Sequence, residues 1–392
     1  MAASTTTAET EIAKWLADSE PDMIALLEAL VNTDSGSYYK EGVDAVGALI
    51  REFLEARGIA CDTIPIETHG DAVRATVSGA SNGGNRPIVL MGHRDTVFPR
   101  GEPDRRPFTI RDGRAYGPGV ADMKAGLVMN AFVLAAFAEL GGAPAPLVGL
   151  FTGDEEIGSP SSAPVIARET TNARAVFNSE PGRVSGNVVT GRKGGIFFKC
   201  IIKGKAAHSG ANFADGISAI GELAHKITAW HDITDINRGI TVNVGLISGG
   251  QSVNTVAPEA ACDIDTRFIK LADRDWLVAS ITEIADRSYI TGTSATMEIM
   301  GEFKPLEQSP ASADMFDVYT QAGHDSGLAI AGEFSGGCAD SGIAASVGTP
   351  TICGVGPVGA HVHSPDEYME LASFVPRAQT LARTILRMHE QG

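Results

Sequence analysis

Pro146-Leu147-Val148-Gly149-Leu150-Phe151 runs into Thr152-Gly153-Asp154-Glu155-Glu156-Ile157-Gly158. A short apolar run closed by a turn reads as a buried strand, and here two adjacent carboxylates stand where it ends. The figure recurs on either side. Residues 87–91 are apolar and lead into Gly92-His93-Arg94-Asp95, and residues 173–177 lead into Asn178-Ser179-Glu180-Pro181. Between the first two lies 122–140, whose apolar residues cover most faces of a helix, as in a crossover helix buried against a sheet. Strands and helices that alternate, with reactive side chains at the strand C-termini, predict a doubly wound α/β domain whose ligands gather at that edge.

Away from this centre, Val46, Leu49, Ile50, Phe53 and Leu54 recur at helical spacing over 45–57, with Gly58 at the C-terminal cap position, and 74–77 reads as a further strand. The texture changes near Gly186. Residues 197–202, 240–247, 260–268 and 295–303 read as strands and 217–230 and 276–288 as helices, an order that fits a ferredoxin-like α+β insert. After Pro310 the α/β texture resumes with a helix at 311–322, a strand at 351–354 and an amphipathic helix at 374–389. The expected organisation is a catalytic domain built from both ends of the chain, 1–187 and 305–392, interrupted by a smaller domain at 188–304.

The 31 basic against 48 acidic residues leave a net charge of −17, which disfavours nucleic acid and anionic membrane as partners. Cys61, Cys200, Cys262, Cys338 and Cys353 are scattered without a CxxC spacing, the usage of reduced thiols in a cytoplasmic compartment. Residues 1–21 contain no apolar core of signal-peptide length, and no segment reaches 18 uninterrupted apolar residues, so neither a cleaved leader nor a membrane span is expected.

Imidazole nitrogen and carboxylate oxygen are ligands for divalent ions such as zinc, and a catalytic site keeps one position open. In His93-Arg94-Asp95 the Asp95 carboxylate can accept the second ring N–H and set the histidine's tautomer, although a structural histidine at a strand end would look the same. Asp122 follows the loop Gly117-Pro118-Gly119. It reads either as an N-cap or as a carboxylate bridging two ions, the glycines letting backbone come close. If Glu156 binds metal and Glu155 does not, Glu155 is free to take a proton from water and deliver it to a leaving amine; otherwise the pair is simply solvated. Glu180 reads as a ligand or an exposed loop acid. His361 or His363 supplies a late ligand, and residue type alone does not separate them.

Taken together, six segments resemble the di-zinc aminoacylase and carboxypeptidase family that contains glutamate carboxypeptidase, succinyl-diaminopimelate desuccinylase and acetylornithine deacetylase. They are Gly92-His93-Arg94-Asp95-Thr96-Val97, Gly117-Pro118-Gly119-Val120-Ala121-Asp122-Met123-Lys124, Gly153-Asp154-Glu155-Glu156-Ile157-Gly158-Ser159, Ser179-Glu180-Pro181, Lys203-Gly204-Lys205-Ala206-Ala207-His208-Ser209-Gly210 and His363-Ser364-Pro365-Asp366-Glu367. The resemblance spans almost the whole chain.

It implies that Asp122 bridges two divalent ions, zinc foremost with cobalt or manganese also accepted. His93 and Glu180 would complete one, and Glu156 and His363 the other. Glu155 and Asp95 form the implied catalytic set, with Glu155 as general base and then general acid. His363 is favoured over His361 because the family histidine precedes Ser/Thr-Pro. The insert becomes a lid and dimerisation domain, hence a homodimer, in which His208 reaches across to the substrate as an oxyanion donor. Asn254 and Arg267 are implied substrate contacts, an arginine fork suiting a carboxylate, although Asp263 or Asp265 could occupy Arg267 in a salt bridge. Gly336, in Gly336-Gly337-Cys338-Ala339-Asp340, belongs to a loop that approaches substrate with backbone; Cys338 stands where the family commonly has Thr.

The implied reaction is amide hydrolysis of a small N-acyl or peptidyl amino acid. The wording after Asp95 and the Gly153–Ser159 turn is closest to the glutamate carboxypeptidase branch, which takes an acidic residue. Gly191-Arg192-Lys193-Gly194 also resembles the desuccinylase and acetylornithine branch, the alternative reading. A non-catalytic metal-binding dimer is the reading from another class, and the presence of Glu155 argues against it.

Overall fold

The computed structural model describes residues 2–79 and 86–388; His389, the last residue of the expected closing helix, lies outside them. The chain divides into two compact units. Arg192–Glu307 with Gly336–Cys338 forms one, and the two ends of the chain form the other.

In the unit built from both ends, strands β1 (Ala60–Ile64), β2 (Ala72–Val77), β3 (Ile88–His93), β4 (Leu147–Thr152), β5 (Ala175–Asn178) and β6 (Val188–Arg192) precede the insert. The insert itself contributes β7 (Gly194–Lys203), β8 (Thr241–Gly249), β9 (Glu259–Phe268) and β10 (Ser294–Phe303). After it come β11 (Gly332–Ser335) and β12 (Thr351–Cys353). Among the described residues the large sheet runs β1-β2-β4-β3-β5-β12-β6-β11. Its centre, β4-β3-β5-β12, is parallel, while β1, β2 and β6 pair antiparallel.

Alternate residues of β3 feed two different clusters. Ile88 and Leu90 pack with the helical layer that includes α1 (Ala125–Glu139), and Val89 and Met91 pack with Val165, Ile166, Ile343 and Ala344 on the other face. A strand covered on both faces has no solvent side, which is why its sequence is continuously apolar rather than alternating. This is the doubly wound α/β arrangement expected. Val120–Glu139 is long and apolar enough to cross a membrane by composition, but 94% of that window is buried within the protein. Its apolarity is used in core packing, and Leu371–Met388 packs beside it with Phe374, Ala378, Leu381 and Ile385.

The inserted unit has chain order β7-α2-β8-β9-α3-β10, where α2 is Ala219–His231 and α3 is Arg274–Asp286. Its antiparallel sheet runs β8-β9-β7-β10. This is the ferredoxin-like pattern. Ile196, Phe198, Cys200 and Ile202 point to one side of β7 and meet Leu223 and Trp230 of α2 and Leu277 and Ile281 of α3; the Trp230 indole N–H donates to the Ile281 carbonyl at 3.1 Å.

Two boundaries differ from the reading of the sequence. The contact division falls after Gly191 and after Glu307 rather than after 187 and 304, because β6 pairs into the large sheet. Gly336, expected with the second terminal segment, groups with the insert. The Arg192 guanidinium donates to the carbonyls of Gly337 (3.3 Å) and Cys338 (2.6 Å), tying that loop to the start of the insert.

Candidate metal centre

Strands β4, β3 and β5 are parallel neighbours, so their C-terminal ends open on one edge. His93 is the last residue of β3 and lies in register with Thr152, the last of β4, so Glu155 and Glu156 follow in the next turn. Glu180 follows β5 by two residues. The adjacent strands bring together residues almost 90 positions apart.

Asp122 arrives from another direction, and not as a helix cap. α1 begins at Ala125, whereas Asp122 has extended dihedrals (φ −112°, ψ 92°) in a distorted turn, Val120–Lys124. Gly119 enters the turn at φ 72°, where a side chain would be strained and its Cβ would lie 2.5 Å from Thr96 Cγ2. Glu367 holds the turn from outside. Its buried carboxylate accepts from the amides of Gly119 (3.1 Å), Ala121 (2.9 Å) and Asp122 (3.0 Å), while burial, the largest influence, pushes its pKa up to about 7.

The Asp122 carboxylate stands between two histidines. Oδ1 is 3.2 Å from His93 Nε2 and Oδ2 is 3.4 Å from His363 Nε2. His93 Nε2 also lies 3.7 Å from Glu180 Oε1, and His363 Nε2 lies 3.1 Å from Glu156 Oε2. Two triads result, His93-Asp122-Glu180 and Asp122-Glu156-His363, with the donor atoms of each within 4.8 Å of one another. Glu155 belongs to neither, although its Oε2 is 3.8 Å from His93 Nε2. His361 and His363 both have positive φ, 57° and 62°. That turn leaves the His361 ring edge-on to Tyr368, at 5.6 Å between centroids, and His363 facing the carboxylates.

Asp95, expected in the catalytic set, is wholly buried and acts through its neighbours. It accepts from the amides of Glu155 and Glu156, each at 3.1 Å, and from Ser37 Oγ at 2.7 Å. His93 Nδ1 faces both the Asp95 carbonyl (3.0 Å) and its Oδ1 (3.3 Å), which directs Nε2 toward Asp122. Asp95 therefore braces both His93 and the Glu155-Glu156 turn.

The electrostatics are those of a crowded acidic pocket. Burial, reinforced by Glu180, Asp340 and Glu156 and opposed by His93, holds Glu155 well above the carboxylate range. Burial followed by Asp122 pushes Glu156 up to about 7. Hydrogen bonds to Asp122 and Glu156 raise His363 to about 10. Burial opposes the charge on His93, but Glu155, Asp122 and Asp95 keep its pKa well above normal. Each triad offers one imidazole nitrogen and two carboxylates, and divalent cations would offset the carboxylate repulsion that burial intensifies. The residues fit such ions.

Two acids that carry no assigned role in the sequence reading emerge. Glu367 is one. Asp340 is the other; it is buried, accepts from Ser159 Oγ, and is pushed up to about 7 chiefly by burial. Both lie inside quoted segments, so acidic type at those places was the available signal, but what they hold is distant in sequence. Glu367→Gln is expected to weaken divalent-metal binding about 10–100-fold, read by competition with a chromophoric chelator, because an amide nitrogen then faces a backbone N–H.

The implied substrate contacts lie in the inserted unit. His208 is exposed, and its Nδ1 accepts from the amides of Gly210 and Ala211, both at 3.1 Å. Asn254 is its neighbour, its carbonyl accepting from the Ser209 amide at 2.9 Å. Arg267 makes the salt bridge named as its alternative, with Asp265. Its fork is turned onto Asp265 in a bidentate pair (2.8 and 2.9 Å), with a third nitrogen 2.6 Å from Cys338 Sγ, so the guanidinium is already engaged.

Imidazoles and carboxylates clustered at the strand ends of a doubly wound sheet make this edge a candidate centre for divalent ions. The chain belongs to the peptidase family M20/M25/M40, whose sequence profile matches residues 89–387. That family consists of amide-bond hydrolases of acyl and peptidyl amino acids, metal-dependent and typically dinuclear. Carboxypeptidase G2 of Pseudomonas sp. (strain RS-16) is 28% identical over 379 residues, 94% of this chain and 90% of that one. Succinyl-diaminopimelate desuccinylase of Paracidovorax citrulli (strain AAC00-1) is 28% identical over 339 residues, 80% and 84% of the two chains. An M20 family metallo-carboxypeptidase from Sulfolobus solfataricus shares the fold, with a TM-score of 0.78 at 17% identity over 94% of this chain and 99% of that one.

Proposed function

We propose that this protein is a dinuclear metal hydrolase that releases an acidic amino acid from a small N-acyl or peptidyl conjugate. The observation that carries the reading is Glu155, a buried carboxylate beside the two triads yet a member of neither. A protein that only binds metal has no use for such a group.

In this reading His93, Asp122 and Glu180 hold one ion and Asp122, Glu156 and His363 the other. Such ions, with zinc the first candidate and cobalt or manganese compatible with the same donors, polarise an amide carbonyl and acidify water. Glu155 takes the proton from the attacking water and returns it to the leaving nitrogen. Asp95 keeps His93 in one tautomer and holds the Glu155-Glu156 turn. His208 serves as oxyanion donor within a homodimer formed through the inserted unit. Because its Nδ1 accepts two backbone N–H groups, its proton resides on Nε2, the tautomer that donation requires. Asn254, Arg267 and the backbone at Gly336 are the remaining candidate substrate contacts, the Arg267 fork being held in place by Asp265.

The acidic leaving residue is supported by likeness to carboxypeptidase G2 along nearly the whole chain. Likeness to the desuccinylase supports a second reading, a biosynthetic deacylase of succinyl-diaminopimelate or acetylornithine. A panel of N-acyl glutamates and aspartates, N-succinyl-diaminopimelate and N-acetylornithine separates them. Activity is expected on the acidic conjugates, to vanish after chelation and to return with added zinc, cobalt or manganese. Preference for the diamino acids selects the second reading, and metal-bound protein inert toward the whole panel overturns both.

A further inference from the structure

Cys200 of β7 and Cys262 of β9, both free thiols, are direct partners in the antiparallel register of the inserted sheet. Residues directly opposite in such a ladder share a face and have Cα atoms about 4.5–5.5 Å apart, within the range that a disulfide spans. No other two cysteines are register partners among the described residues: Cys61 lies opposite Ala75, and Cys353 opposite Asn178 and Val189. β7 and β9 are the two central strands, each paired on both sides. The cysteines are therefore fixed in register by the whole sheet.

Their common face is the one the two helices cover, and Cys200 is 0% and Cys262 2% exposed. A single buried cysteine behaves as a small apolar residue. This pair also has a buried cation nearby. Lys226 of α2 is salt-bridged to Glu222 at 2.9 Å and donates to the carbonyls of Ile284 (2.9 Å) and Ala285 (2.8 Å) at the end of α3. The Cys262 thiol, the largest influence, and the Lys226 ammonium lower the Cys200 pKa against burial, while Cys262 is raised. Cys200 is thus the sulfur that ionises first and acts as nucleophile.

We infer that Cys200 and Cys262 are an oxidisable pair, which exchange with a small-molecule disulfide converts into a staple between the central strands while the insert folds or opens. The Cys200 thiolate attacks one sulfur of the small disulfide, forming a mixed disulfide and releasing one thiol. Cys262, as thiolate, then attacks Cys200 Sγ, closing the protein S–S bond and releasing the second. Two protein thiols are oxidised, one small disulfide is reduced, and the two protons leave on the released thiols. Burial keeps a reagent from the pair in the folded insert, so its redox state is set at folding and then shielded. The bond closes the chain between 200 and 262, which carries α2 and β8, and restricts mainly the unfolded chain because β7 and β9 are already paired. The inference is independent of the hydrolase reading.

The test takes the full chain into the urea unfolding transition with either dithiothreitol or a mixture of reduced and oxidised glutathione, returns it to buffer, and alkylates a portion in denaturant. The glutathione sample is expected to contain tryptic peptide 200–203 joined to 239–267, with both of those thiols protected from alkylation. Its Tm should exceed that of the dithiothreitol sample by about 5 °C, a difference that dithiothreitol in denaturant abolishes and that Cys200→Ala and Cys262→Ala do not show. Recovery of both peptides alkylated, or of either joined to Cys61, Cys338 or Cys353, overturns the inference. A joined pair with unchanged Tm, or the same rise in Cys262→Ala, overturns the staple. Folded dithiol protein given oxidised glutathione without urea should keep both thiols; prompt joining there overturns the shielding.

Discussion

Glu155→Gln is expected to keep about two ions per chain while turnover falls by about 10²–10⁴-fold, the scale of a lost general acid–base group. The expectation comes from position. Glu155 Oε2 stands 3.8 Å from His93 Nε2, near enough to reach a water held between the triads, while the triads are complete without it. Asp95 accepts the Glu155 amide, so the backbone stays in place when the side chain changes. Glutamine preserves volume and one acceptor but takes up no proton. Steady-state kinetics with elemental analysis of the same samples separates the roles. If metal leaves together with activity, Glu155 is a ligand and the assigned base is wrong.

Asp122→Ala is expected to reduce bound metal to one ion per chain or fewer and to lower turnover further than the Glu155 variant. No other carboxylate has one oxygen toward each histidine, at 3.2 Å from His93 and 3.4 Å from His363, among the described triads. Its removal takes a ligand from both sides at once and leaves the buried histidine and glutamates without the anion between them. Glu156→Ala supplies the contrast, since it removes a ligand only from the second triad and should retain about one ion. Metal titration by calorimetry reads both. An Asp122 variant that still binds about two ions with wild-type affinity would show that the carboxylate does not bridge.

Much of this arrangement is legible in the chain. Residues 88–91, 147–151 and 175–177 run without a polar side chain because each strand is covered on both faces, and an acid or histidine at or just past each run's end marks the sheet edge where ligands collect. The insert is legible for a different reason. Its β7 and β9 bury alternate residues against two helices, so periods of two and of 3.6 switch in the βαββαβ order. Less visible were β1, half exposed and hydrophobic at few positions, and the short β6 and β11, whose pairing comes from the far end of the chain.

The individual site assignments divide along the same line. Residue type and local spacing were enough to nominate His93, Asp122, Glu155, Glu156 and Glu180, because strand ends and turns are encoded by consecutive residues. Whether Asp122 caps a helix was decided by the distorted turn Val120–Lys124, which Glu367 holds from some 245 positions away. The choice between His361 and His363 turned on two positive-φ residues and on Tyr368, and the occupation of Arg267 by Asp265 on the side-chain rotamers of one strand. Strands, helices and candidate ligands follow from periodicity and chemistry within a short window; the partner that each ligand meets follows from packing between windows, which only the folded chain brings together.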